Sequence, residues 1–269
     1  MTKTTTTKIA ILGCGNLGTS ILEGLLDTGN YKSENITITR RHIDSLVKYR
    51  EQGVHVTSDN KEAVKNADII LVGLKPHNIL PVLREVGPLL PKQSIVVSLA
   101  TAVSLAELED AIQVNLPLYR AMPNTATTVQ ESVTCICSNY KDEEPLNSVK
   151  QLFDQLGTSV VIDENLMESA TVLGACGIAF VLRFIRGMIQ GGIQIGFDAK
   201  TAGLIVNQTV KGASQLLIQN GEHPEFEIDK VTTPRGCTIE GLNEMEHNGF
   251  SSALIKGIVT SFEKIEKLN

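Results

Sequence analysis

Gly13-Cys14-Gly15-Asn16-Leu17-Gly18 follows directly on the apolar run 9–12 and opens a segment, 17–26, with apolar residues at helical spacing. A G-x-G-x-x-G pattern is weak evidence alone. Here it stands between a short strand and an amphipathic helix, where the glycines have defined work. Gly13 permits the tight turn, Gly15 lets a pyrophosphate approach the backbone, and Gly18 allows close helix packing. The unpaired amides of Asn16, Leu17 and Gly18 at the helix start suit an anion. The motif predicts a dinucleotide-binding turn, and with it a parallel α/β sheet.

The rest of the first half fits that expectation. Apolar or β-branched runs at 36–39, 54–56, 69–73, 95–99, 116–120, 133–138 and 160–162 read as strands. Helical patterns at 43–51, 61–66, 79–90, 105–112 and 145–156 separate most of them. Strands alternating with helices predict a doubly wound Rossmann sheet. From residue 164 the pattern changes to helices alone, at 169–195, 200–220, 238–247 and 251–268. The expected organisation is a dinucleotide-binding domain, 1–163, followed by an all-helical substrate-binding and dimerisation domain, 164–269. Segment 169–195 is apolar nearly all round and carries dispersed small residues, a composition expected of a buried helix and of intertwined subunits.

The end of the second strand bears on cofactor choice. An NAD site usually places an acidic residue about 20 positions past the motif, bonding the ribose 2′-hydroxyl. This chain has Thr39-Arg40-Arg41 instead. Two guanidiniums there match a 2′-phosphate, so NADPH is the expected cofactor and NADH a weaker alternative. Other strand ends face the same crevice in a doubly wound sheet: Leu74, Lys75 and Pro76 after the fourth strand, and Ser98 and Ala100 after the fifth. His77 suits an acid or a turn equally. Asn124 and the 98–101 strand end are expected on the nicotinamide side.

Charge and composition exclude other classes. A net charge of −6 argues against a general nucleic-acid partner and gives no attraction to an anionic membrane. Aromatic residues are 4% of the chain and Trp is absent, which disfavours a base-stacking platform or aromatic cage. Five cysteines, an odd number without metal-site spacing, read as reduced thiols and imply no metal. The Thr-rich start, 1–8, reads as a polar tail rather than a signal peptide. No apolar run is expected to reach bilayer-spanning length. A cytoplasmic protein follows from these readings.

Near the C-terminus, Thr232-Thr233-Pro234-Arg235-Gly236-Cys237-Thr238 precedes a helical pattern. Thr233 or Thr238 is expected to cap that helix and offer a hydroxyl to a carboxylate, with the amides of Gly236, Cys237 and Thr238 donating as well. Cys176 and Cys237 read as packing residues, since neither has an adjacent general base. No Ser-His-Asp or Cys-His arrangement stands out.

Together these segments resemble the pyrroline-5-carboxylate reductase family. The resemblance rests on the glycine motif, Leu74-Lys75-Pro76, Arg120-Ala121-Met122-Pro123-Asn124-Thr125, Glu222-His223-Pro224, and above all residues 230–239 with Gly241-Leu242. It covers essentially the whole chain in order. It implies a Rossmann domain joined to a helical dimerisation domain, and NADPH reduction of a cyclic imine to L-proline. It also implies an interlocked homodimer, sometimes assembled into a decamer of five dimers, and a substrate carboxylate bound at Thr233, Gly236, Cys237 and Thr238. Thr238 is the candidate catalytic residue. A protonated imine is already electrophilic, so hydride transfer chiefly requires positioning.

The chain departs from the family at two places. Residues 174–180 read Gly-Ala-Cys-Gly-Ile-Ala-Phe where the family has Ser-Gly-Ser-Gly-Pro-Ala-Tyr or Phe, and Arg235 stands in place of a glycine. The competing readings are a related reductase of another small imino or keto acid, and a non-catalytic nucleotide sensor. Enzymes of the β-hydroxyacid type need a lysine on the long central helix. Segment 169–195 has Arg183 and Arg186 but no lysine, which counts against carbonyl chemistry.

Overall fold

The computed structural model describes residues 5–267. These form two compact units, one running through Cys176 and taking in the chain from Phe262, the other spanning Gly177–Ser261. The first four residues of the expected polar tail lie outside the described residues. Within that tail, Thr5 makes an isolated parallel bridge with Tyr31.

The first unit is built on an eight-stranded sheet: β1 (Ile9–Leu12), β2 (Ile36–Thr39), β3 (His55–Thr57), β4 (Ile69–Val72), β5 (Ile95–Ser98), β6 (Leu118–Met122), β7 (Ser132–Ser138) and β8 (Gly157–Val161). Their order is β3-β2-β1-β4-β5-β6-β7-β8. β1 to β6 are mutually parallel, β7 runs antiparallel to β6, and β8 is parallel to β7. β1, β4 and β5 are buried along their whole length, so apart from Ser98 at the end of β5 their sequences are apolar runs rather than alternating ones. Strand order reverses between β1 and β4, opening a crevice beyond their C-terminal ends.

Helices α1 (Asn16–Asp27), α2 (Val47–Glu51), α3 (Asn60–Val64), α4 (Pro76–Val86), α5 (Leu105–Ile112) and α6 (Glu143–Asp154) belong to this unit. Two apolar clusters form its core. One joins Ile21, Leu22 and Leu25 of α1 to Phe153 of α6, and the other joins Ile79 and Leu83 of α4 to Leu105 and Leu108 of α5. α5 opens on a reciprocal cap: Ser104 Oγ accepts from the Glu107 amide at 3.3 Å, and Glu107 Oε2 accepts from the Ser104 amide at 2.8 Å.

Contacts made by Arg120 carry this unit past residue 163. Arg120 on β6, 3% exposed, donates through Nη1 to Glu164 and through Nη2 to Glu168, both at 3.0 Å. Glu164 also accepts from the Leu105 amide at 2.7 Å, and Met167 is fully buried. These contacts bind α7 (Met167–Ala170) to the sheet. A π-helical turn, Thr171–Cys176, follows it.

The second unit carries α8 (Gly177–Gln194), α9 (Ala199–Asn220), α10 (Pro224–Lys230), α11 (Cys237–His247) and the greater part of α12 (Phe250–Glu266). α10 is an unexpected helix, signalled by Pro224 at its first position and capped by His223 Nδ1, which accepts from the Glu225 amide at 3.2 Å. Two expectations need correction. α8 has no buried residue in the single chain: Val181 is 48% and Leu182 58% exposed. An apolar helix is normally covered along that face, and within the single chain this one is left open. Further, Glu164–Gln194 is a stretch long and apolar enough by length and composition to cross a membrane, an 18-residue window of it having a mean hydropathy of 1.8. Arg183 and Arg186 interrupt the apolar run, which is why no unbroken span stands out in the sequence.

Candidate functional site

At the crevice between β1 and β4 lies a cleft of about 570 Å³ lined by Gly13, Gly15, Thr39, Arg40, Arg41, His42, Ser58, Asn60, Gly73, Leu74 and Lys75, among others. The structure thus brings together Gly13, Gly15, Arg40, Arg41, Leu74 and Lys75 from three separated segments. Asn16, Leu17 and Gly18 form the first turn of α1, whose N-cap is Gly15, and Pro76 is the first residue of α4.

Gly13 and Gly15 serve different needs. Gly13 has φ +86°, and a Cβ there would come within 2.6 Å of Leu74 Cδ2 and 3.0 Å of Gly73 O. At Gly15 a Cβ would meet nothing within 4 Å, so its missing side chain leaves open space beside the start of α1. An anion close to the backbone fills such a space, with free amides and the helix dipole behind it. A dinucleotide phosphate therefore fits the residues present. Arg40 and Arg41 are exposed at the end of β2, and Arg40 Nη1 donates to Ser45 Oγ at 2.9 Å. No acidic residue lines the cleft.

The polar wall that sequence reasoning missed comprises Thr39, His42, Ser58 and Asn60. Asn60 opens α3, just beyond the end of β3. The rule that ligands meet strand ends near the switch point would have included it.

Ser98, Ala100 and Asn124 do not line the cleft. Ser98 is fully buried, and its Oγ accepts from the Ala100 amide at 3.3 Å. Asn124 is 6% exposed, and its side chain is committed on both sides. Its Oδ1 accepts from the Ala126 amide at 2.9 Å, and its Nδ2 donates to Gly174 O, in the π-helical turn, at 3.1 Å. A π turn is often retained at functional sites. His77 sits exposed in the first turn of α4.

The cysteines carry no activated thiol near this cleft. Burial raises the Cys14 thiol above its ordinary range, and burial pushes Cys137 up to about 11. All five are free, and no cluster with metal-ligating geometry occurs among the described residues.

The box before α11 corrects the expected capping. The N-cap is Gly236, without a side-chain cap, so neither Thr233 nor Thr238 caps the helix. The Gly236 amide is already used, donating to Thr233 O at 2.9 Å. Cys237 and Thr238 are exposed in the first turn, where amides have no intrahelical acceptor. A Cβ on Gly236 would come within 2.6 Å of Thr233 Oγ1 and 3.0 Å of Thr233 O, so a side chain there would have to displace the Thr233 hydroxyl. Arg235 has φ +60°, a conformation that glycine adopts without strain and arginine does not.

Comparison with known proteins agrees with this geometry. The family model described as pyrroline-5-carboxylate reductase dimerisation matches residues 164–268, and that described as NADP oxidoreductase, coenzyme F420-dependent, matches residues 8–102. Pyrroline-5-carboxylate reductases 1 and 2 of Dictyostelium discoideum are each 42% identical, over 97% and 96% of this chain respectively. The chain spans about half the length of the first relative, 49%, and 92% of the second. The crystal structure of Plasmodium falciparum pyrroline carboxylate reductase with NADP bound is 25% identical, with a TM-score of 0.88 over 97% of this chain and 98% of that one. From the glycine turn to the box before α11, the chain belongs to the pyrroline-5-carboxylate reductase family.

Proposed function

We propose that this chain uses NADPH to reduce 1-pyrroline-5-carboxylate to L-proline, the last step of proline biosynthesis. The observation that carries the reading is one cleft holding both the open space at Gly15 and the guanidiniums of Arg40 and Arg41. Gly13, Gly15, Asn16, Leu17 and Gly18 receive the pyrophosphate, and the two arginines receive the 2′-phosphate. NADH, lacking that phosphate, serves as a weaker substitute. Leu74, Lys75 and Pro76 form the opposite wall. Ser98, Ala100 and Asn124 support the nicotinamide side from beneath the surface.

When bound, the nicotinamide supplies a hydride. The work left to the chain is to hold the imine's carboxylate, and the amides of Cys237 and Thr238 suit it. The hydroxyls of Thr233 and Thr238 complete that cradle around the Gly236 turn, and Thr238 is the residue assigned contact with substrate. No residue need act as a nucleophile, because a protonated imine is already electrophilic. Residues 1–163 serve the nucleotide, and residues 164–269 serve substrate and dimerisation.

The chain forms a homo-oligomer through a dimerisation region. The finer assignment, a homodimer, rests on the exposed apolar face of α8, and a decamer of five dimers rests on the family resemblance. That face meets a second copy rather than lipid: the same helix carries Arg183 and Arg186, and charged residues inside a bilayer are costly. A cytoplasmic location, with no membrane or nucleic-acid partner, suits a net charge of −6 and free thiols. The test is loss of NADPH absorbance with pyrroline-5-carboxylate, set against NADH and against keto acids. Turnover of keto acids alone, or NADPH binding with no turnover of the imine, would sink the reading.

A further inference from the structure

Thr39 ends β2 and is 2% exposed. Its Oγ1 accepts from the Gly13 amide at 3.1 Å and donates to Asn60 Oδ1 at 2.6 Å, and its carbonyl accepts from the Cys14 amide at 2.7 Å. One buried residue thus ties the glycine turn to the start of α3. The direction of the chain of bonds follows from counting hydrogens. The Gly13 amide is a donor, so the hydroxyl must accept there, and its single hydrogen is left for Asn60. A reversed Asn60 amide would present hydrogens to Thr39 and leave a buried hydroxyl hydrogen without an acceptor, a costly arrangement. Asn60 therefore turns its oxygen toward Thr39 and keeps both Nδ2 hydrogens for other partners. Asn60 lines the same cleft as Arg40, Arg41 and Ser58.

Resting on the reading of this cleft as the nucleotide site, we propose that Thr39 is a positioning residue: it locks the Asn60 amide in the orientation that donates to the phosphorylated adenosine end of the nucleotide. Without the Thr39 hydroxyl, the Asn60 amide is free to rotate and present its oxygen, an acceptor that repels phosphate. The hydroxyl also keeps the Gly13 amide paired, so the same atom steadies both sides of the cleft.

The test is calorimetric titration of the full chain with NADPH and with 2′,5′-ADP, a fragment that lacks the nicotinamide. Thr39→Ser should bind both within about twofold of the parent, and Thr39→Val about tenfold more weakly. Asn60→Ala should also cost about tenfold. The double variant Thr39→Val with Asn60→Ala should fall well short of the roughly hundredfold product, because the two act through one contact. Asn60→Asp removes the donors and adds a negative charge, so it should bind 2′,5′-ADP more weakly than Asn60→Ala does. That variant keeps the test decisive even if Thr39→Val does not fold.

Parent-like binding by Thr39→Val or Asn60→Asp, an equal loss in Thr39→Ser and Thr39→Val, or multiplicative losses would each overturn the proposal. Failure of the cleft reading itself looks different. The parent would then bind NADPH but not 2′,5′-ADP, and replacing Arg40 and Arg41 by alanine would leave NADPH affinity unchanged.

Discussion

Two glycines of one turn should fail in different ways. Gly13→Ala meets a positive φ and a crowded Cβ position, so it should lower unfolding free energy by about 1–2 kcal/mol in urea titrations. Gly15→Ala has room for its methyl in the free protein and an ordinary φ of −86°. It should leave the urea midpoint nearly unchanged and weaken NADPH binding by about tenfold or more, since the methyl occupies the phosphate's space. A loss of stability equal to that of Gly13→Ala would contradict the difference. Arg235→Gly runs the other way: relief of the left-handed conformation should raise stability by about 0.5–1 kcal/mol. At the end of β2, replacing Arg40 and Arg41 with alanine should raise KM for NADPH well above any change for NADH. Equal changes would separate these arginines from the 2′-phosphate.

Among the elements, α5 offers a pH test. The Glu107 carboxyl is held below the usual carboxylate range, first by the Ser104 amide donating to it and then by the Ser104 hydroxyl. Its folded pKa is depressed, so the stabilisation is present above the ordinary carboxylate range and is lost as pH falls through the folded value. Thermal midpoints of the parent and Glu107→Gln should therefore differ near neutrality and converge in acid. A difference that persists in acid would rule the carboxylate out. The strands buried on both sides were legible because burial forces unbroken apolar runs, as in Ile69-Ile70-Leu71-Val72. β8 was read at 160–162 but lies at Gly157–Val161, because pairing of Gly157 with Ser132 sets its start and local pattern does not encode that partner. The candidate site divided in the same way. The glycine turn and the arginines carry local signatures, whereas the bond from Thr39 to Asn60 joins residues that only the packing of β2 beside β3 brings together. The commitment of Asn124 to a π turn was equally hidden, since the turn has no sequence pattern of its own.

At the scale of the molecule, the two units differ in what they bury. The sheet unit closes two apolar clusters within its own chain. The helical unit leaves Leu182, Leu204 and Ile255 each more than half exposed. Leu182→Glu should therefore shift the assembly toward monomer in sedimentation experiments, because a charge on an apolar interface is desolvated without a partner. Unchanged sedimentation would place the contact elsewhere on the unit.

The uncovered face of α8 has one more consequence. In the proposed homodimer each copy supplies part of its neighbour's interior, which ties folding of the helical half to how many chains are present. Dilution then loosens it, and a higher concentration of the chain tightens it. In a cell that makes both sound and defective chains, the defective copy is carried into mixed assemblies and weakens its sound companion. A harmful variant of α8 then acts on more molecules than its own.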